Sequence, residues 1–220
     1  MKELRKKAAW KKRRIIYDND GNEPVYFCEE ATPESLLECR MKGLIGTQVD
    51  TVLYCTWSSG FGYFTHDTKV GQVFDCTEEK FSNNRTREFL DKGLDPLTIV
   101  VNFCHANNLE VFWSFRVNDT HDAAKTWYGP LMVPQLKKDH PEYLLGSKES
   151  RPPFGQWSSM NFGLPEVREL AFRFVEEVCL NYDIDGVHLD FFRHAMFFRN
   201  PSMGLEASQE ERDQMTELMG

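Results

Sequence analysis

No apolar run in the 220 residues approaches the roughly 20 needed to cross a bilayer as a helix. No hydrophobic core of signal-peptide type follows Met1 either. The chain is therefore expected to work in water, in the cytoplasm and without a membrane partner. Paired cysteines are missing as well. Cys28, Cys39, Cys55, Cys76, Cys104 and Cys179 include no C-x-x-C or other metal-type spacing. Cys55, Cys104 and Cys179 fall inside apolar segments, where a free thiol acts as a small core residue, so a reducing compartment is expected. Phosphate-cradling glycine loops are absent: Gly60-Phe61-Gly62 opens no helix and is no dinucleotide fingerprint. No cofactor is expected.

Positive charge is scarce beyond the amino terminus. Residues 1–14 hold eight Lys/Arg against one Glu, so of the formal net charge of −8 the remaining residues carry −15. An acidic body of that kind argues against nucleic acid as the partner. The basic segment itself has only Trp10 as a large apolar residue near its centre, too narrow a stripe for a bilayer, and reads as a solvated helix.

What is present suffices for one buried core. With 41% hydrophobic and 13% aromatic residues, the 220 residues are expected to form a single domain, 1–220. Arg14–Tyr17 is a β-branched run stopped by the turn-forming Asp18–Asn22, and reads as a first strand with Asp20 just past its end. Thr32-Pro33 opens a helix expected to reach about Lys42, with an N-cap followed by Pro at the first helical position. Val49–Cys55, Leu109–Phe115 and Ile184–Asp190 read as further strands, with helices over Pro96–Asn108, Pro165–Asn181 and, beyond the last strand, Ser208–Met219. Four strand-then-helix units are the pattern of a parallel sheet with crossover helices. The long connections, from Trp57 to Lys92 and after Phe115, follow strands rather than helices, as in a (β/α) TIM-type barrel whose site lies at the carboxyl ends of its strands. The aromatics of Gly60–Phe64 suit either stacking on a ligand or packing the loop onto the rim.

Along the last strand Gly186, His188 and Asp190 share one face and Val187 and Leu189 the other, which puts Asp190 inside a barrel at its active end. Asp190 is the candidate catalytic carboxylate; its plain alternative is a cap paired with Arg193. Asp20, Trp57, Arg116, Asn118, Asp119, His121 and His188 are the candidate substrate-binding residues, each ending or following a strand or, for His188, facing inward and bonded to a neighbouring carboxylate. Arg116–Asp122 is the densest polar cluster in the chain. A metal centre of Asp119, His121 and Asp190 has no ligand-spacing motif behind it, and none is expected.

The stretches Arg13–Gly21, Arg116–Asp122, Pro165–Glu169 and Tyr182–Asp190 together resemble the glycosyl-hydrolase-like (β/α)8 barrel proteins of bacteria. The strand ending in Asp190 is also similar to the fourth strand of the α-amylase and α-galactosidase superfamilies, with His188 where the amylase-type pattern has Arg. The resemblance implies a glycosidase acting on a carbohydrate, with Asp190 as nucleophile or charge stabiliser, and covers the first four of eight barrel units. Two other readings stand beside it: a non-catalytic carbohydrate-binding barrel, and a structural fragment that requires a partner. An open half-barrel is further expected to self-associate through its unpaired edges.

Overall fold

The computed structural model describes residues 2–191 and 194–219. A basic helix, α1 (Lys2–Ala9), precedes the strands β1 (Ile16–Asn19), β2 (Thr51–Tyr54), β3 (Glu110–Arg116) and β4 (Gly186–Asp190), which form one parallel sheet in chain order. Between them lie α2 (Pro33–Glu38), α3 (Thr86–Asp91), α4 (Pro96–Ala106) and α5 (Pro165–Asn181), and α6 (Gln209–Met219) follows β4. Adjacent parallel strands joined by helical crossovers make this the first half of a (β/α) barrel.

The helix starts follow from local chemistry. Thr32 accepts the Ser35 N–H at 3.2 Å, with Pro33 opening α2. Asp95 accepts the N–H groups of Leu97 and Thr98 at 2.8 and 3.0 Å ahead of α4. Ser208 and Glu211 form a reciprocal capping box at the head of α6, the Glu211 N–H on Ser208 Oγ and the Ser208 N–H on Glu211 Oε2.

The helix-facing side of the sheet is the core. Val52, Tyr54, Val111, Trp113 and Phe115 are buried there, and Phe61, Phe64, Phe162 and Phe174 close over them. Phe61 and Phe64 thus pack the rim, and Tyr63 joins a second cluster with Trp57, Phe74 and Phe81. The other side lines the barrel interior. Register sets Asp18, Leu53, Phe112 and Gly186 abreast, then Ser114 beside His188, then Arg116 beside Asp190. Phe112 lies so close over β4 that a Cβ on Gly186 would come within 2.8 Å of its ring.

Two boundaries differ from expectation. β1 runs through Asp18 and Asn19 because both pair with β2 and the Asn19 carbonyl accepts the Cys55 N–H; pairing outweighs the turn preference of those residues. Helix α2 stops at Glu38, and the expected remainder is a turn leading to a 3-10 segment, Lys42–Leu44. Just past β1, Gly21 has φ +60, and a Cβ there would lie 1.5 Å from the Cys55 carbonyl oxygen, so only glycine fits. All six cysteines are free thiols. No helix among the described residues is long and apolar enough to cross a membrane.

Candidate active site

A cleft of about 220 Å³ opens at the carboxyl ends of the strands, with Asp20, Arg116 and His121 among its polar lining and Tyr26, Trp57 and Tyr128 among its aromatic lining. Arg116 projects from the end of β3 and is mostly buried. Its guanidinium pairs with the Asp20 carboxylate and donates to the Trp57 carbonyl at 3.4 Å. Asp190 ends β4 level with Arg116, and its carbonyl accepts the Val117 N–H at 3.1 Å. Arg193, its alternative partner, lies outside the described residues.

Asp18, one layer below, was not singled out by the sequence. Burial raises its pKa, His188 and Arg116 lower it, and Asp20 and Asp190 raise it, so these charges face one another across the strand ends. His188 joins Ser114 Oγ at 2.9 Å through Nδ1. Its hydrogen-bond partner is therefore a hydroxyl on the adjacent strand rather than the expected carboxylate.

Asp119 is fully buried. Its Oδ1 accepts the N–H groups of Gly60 at 2.9 Å and His121 at 3.0 Å, and the Ser59 hydroxyl at 3.4 Å. Its Oδ2 stands 2.6 Å from His121 Nδ1. Burial opposes the charge, but the His121 bond, the His121 and Arg116 charges and the Gly60 N–H outweigh it and hold Asp119 well below the usual carboxylate range. His194 stands on the far side, its Nδ1 accepting the Thr120 N–H at 3.1 Å and lying 4.0 Å from Asp119 Oδ2. Ligand-type atoms of Asp119, His121 and His194 lie within 4.8 Å of one another. The third member of this group is His194 and not Asp190.

Beneath Asp119, Asp122 and Lys137 form a fully buried ion pair of 2.9 Å. The Ser158 hydroxyl also donates to Asp122, at 2.7 Å. Burial pushes the Asp122 carboxyl up, against the Lys137 charge. Asn118 is placed otherwise than its neighbours: both its amide hydrogens go to the carbonyls of Met160 (3.1 Å) and Met196 (2.6 Å), and its oxygen takes the Met160 N–H. It ties two loops together.

The aromatic wall is built from a strained loop. Trp57, Ser58 and Phe61 have φ of +68, +33 and +55, conformations that non-glycine residues adopt only when surroundings enforce them. Trp57 stacks on Phe74 with ring centres 5.2 Å apart and meets Tyr26 edge-on at 5.4 Å. Across the cleft mouth Lys80 Nζ sits 4.0 Å from the Tyr128 ring centre and 5.6 Å from that of Tyr26. Tyr26 ends a short helix, Lys80 lies in a 3-10 segment and Tyr128 in a turn, and no spacing in the sequence announces them.

The family model described as glycosyl hydrolase-like 10 matches residues 34–214. The protein named glycosyl hydrolase YngK from Bacillus subtilis (strain 168) is 30% identical over 103 residues, 46% of this chain and 18% of that protein. Among solved structures, the galactosidase domain of the α-galactosidase–sucrose kinase AgaSK is similar with TM-score 0.52 at 13% identity, over 97% of this chain and 25% of that one. The α-L-fucosidase isoenzyme 2 of Paenibacillus thiaminolyticus is similar with TM-score 0.50 at 14% identity, over 94% of this chain and 28% of that one. Likeness at that identity speaks for the barrel fold. The matched chain spans under a third of the length of each of these proteins.

Proposed function

The chain belongs to the glycosyl hydrolase-like 10 family, and from that premise we propose that it supplies the nucleophile-bearing half of a glycosidase acting on a carbohydrate at the carboxyl end of the barrel. Asp190 is the carboxylate that attacks the anomeric carbon or stabilises its positive charge. One observation carries the reading: Asp190 ends its strand level with Arg116, whose guanidinium is fixed by Asp20 at the edge of an aromatic cleft. The Arg116 charge interacts with that of Asp190, so a fixed cation stands within reach of the proposed nucleophile.

Tyr26, Trp57 and Tyr128 offer ring faces and edges of the kind that pack against the apolar face of a sugar. In the full-length protein, replacing Asp190 by Asn is expected to lower turnover of aryl glycosides roughly a thousandfold or more while sugar binding persists. Undiminished turnover by that variant would remove Asp190 from the reaction.

A further inference from the structure

Glycoside cleavage needs a second group, one that hands a proton to the departing oxygen. The carboxylates nearest the cleft on the β3 loop are poorly suited. Asp119 is buried and held ionised, and an ionised acid has no proton to give. Asp122 is enclosed and committed to Lys137 and Ser158.

The side chain that does reach the cleft is His121. It lines the cavity, and its Nδ1 stands 2.6 Å from Asp119 Oδ2. Because Asp119 is an acceptor at both oxygens, the proton of that bond belongs to Nδ1. The ring is thereby oriented by a buried carboxylate, itself anchored by the backbone of Gly60 and of His121. Nε2 is the nitrogen left for a substrate. A buried carboxylate fixing one imidazole nitrogen so that the other can move a proton is a general solution to acid–base catalysis, and histidine is the side-chain type suited to it near neutral pH.

We infer that His121 is the proton-transferring residue of this site and Asp119 its positioning residue. The inference rests on the glycosidase reading above. In the step assigned to it, the imidazolium gives its Nε2 proton to the glycosidic oxygen as the bond from the anomeric carbon to that oxygen breaks. The bonding pair stays with the oxygen, which leaves as a neutral alcohol, while the Asp190 carboxylate takes its place on carbon. The imidazole keeps its Nδ1 proton on Asp119. When water then attacks the anomeric carbon, Nε2 takes the proton that water sheds, Asp190 departs as carboxylate, and the starting charges are restored.

A divalent cation held by Asp119, His121 and His194 is the competing use of the same atoms. Two contacts speak against it: Asp119 Oδ2 already receives the His121 proton, and the His194 Nδ1 lone pair already receives the Thr120 N–H.

The test is a leaving-group series on the full-length protein and its His121→Asn variant, in which the Asn amide can still donate to Asp119 but cannot carry the proton. Glycosides of 2,4-dinitrophenol need no acid, whereas unactivated alkyl glycosides do. The variant should hold the dinitrophenyl kcat/KM within a few-fold, because transfer to Asp190 then needs no acid, while its kcat falls because the water step has lost its base; on alkyl glycosides kcat/KM should fall by roughly 10²- to 10⁴-fold. Asp119→Asn should show the same leaving-group dependence with a smaller loss. Retained dinitrophenyl kcat/KM itself reports that the variant is folded.

Equal loss on both substrates with an unchanged unfolding midpoint, or no loss on either, would overturn the assignment and leave the glycosidase reading standing. Activity abolished by a chelator and restored by Zn²⁺ would overturn it in favour of a metal. An intact protein that cleaves no glycoside of any leaving group would remove the glycosidase reading itself, and the assignment with it.

Discussion

The two ends of the sheet each carry an arginine on a carboxylate, and the pairs are put to different use. At the amino end, Glu110 receives Arg13 through two bonds of 2.7 and 3.0 Å, Lys11 at 2.9 Å and the Thr51 hydroxyl at 2.8 Å. Both carboxylate oxygens are occupied, and the Arg13 guanidinium also lies over the Phe112 ring. At the carboxyl end, Arg116 holds Asp20 at the edge of an open cleft, and Asp190 ends the neighbouring strand level with Arg116. The Asp20 side chain is 46% exposed and that of Glu110 14%. The same kind of pair, an arginine on a carboxylate, thus closes one end of the half-barrel and equips the other. The difference lies in how far each carboxylate is exposed, and in whether the space beside it is filled.

The largest way to disturb this contrast is to attack the support beneath the open end. Lys137→Met leaves the Asp122 carboxylate buried without its cation, and should cost about 3–5 kcal/mol in denaturant unfolding. A cost below about 1 kcal/mol would mean that water reaches the pair.

A crossed experiment comes next. Glu110→Gln should lower stability by about 1–3 kcal/mol and leave turnover unchanged, whereas Asp20→Asn should change stability by less than about 1 kcal/mol and reduce turnover at least tenfold. The reverse pattern would break the comparison. Acid sharpens it. Burial raises the Glu110 pKa, but Arg13, Lys11 and Thr51 more than offset that, so the folded value lies below the ordinary 4.5. A carboxyl lowered on folding contributes stability that is complete above its unfolded value and lost as pH falls through the folded one. The gap between the protein and its Glu110→Gln variant should therefore be full at neutral pH, begin to narrow as pH falls past the ordinary value of 4.5, and close as pH falls through the lowered folded one.

The smallest effect belongs to Lys11. Its side chain is half exposed and Arg13 keeps both its bonds to Glu110, so Lys11→Ala should cost about 0–1 kcal/mol, and less at high salt. A larger cost would make the amino end a cooperative network rather than one bidentate pair with an accessory.

Much of the frame was legible because it depends on short-range pattern. Helix α5 was read over its observed span, since apolar periodicity runs unbroken from Pro165 to Asn181. Alternation placed Gly186, His188 and Asp190 on the interior face, where register sets them beside Phe112, Ser114 and Arg116. Long-range partners were not legible. Lys137 meets Asp122 across 15 residues and His194 meets Thr120 across 74, and neither separation has a period. Asn118 looked like its polar neighbours in the cluster, and only the loop carbonyls around it explain its amide. Trp57 was picked for its position after β2, but its burial against Phe74 and Phe81 is a tertiary fact.

The strand order has a consequence for how the chain is made. Each strand pairs with the one synthesised just before it: β2 on β1, β3 on β2, β4 on β3. During translation each of β2, β3 and β4 therefore meets a template that has already left the ribosome. The exposed edge moves forward one strand at a time, with β4 the most recent to be added. Growth in that order turns a parallel sheet, whose contacts are slow to find when sought all at once, into a sequence of local additions timed by the ribosome.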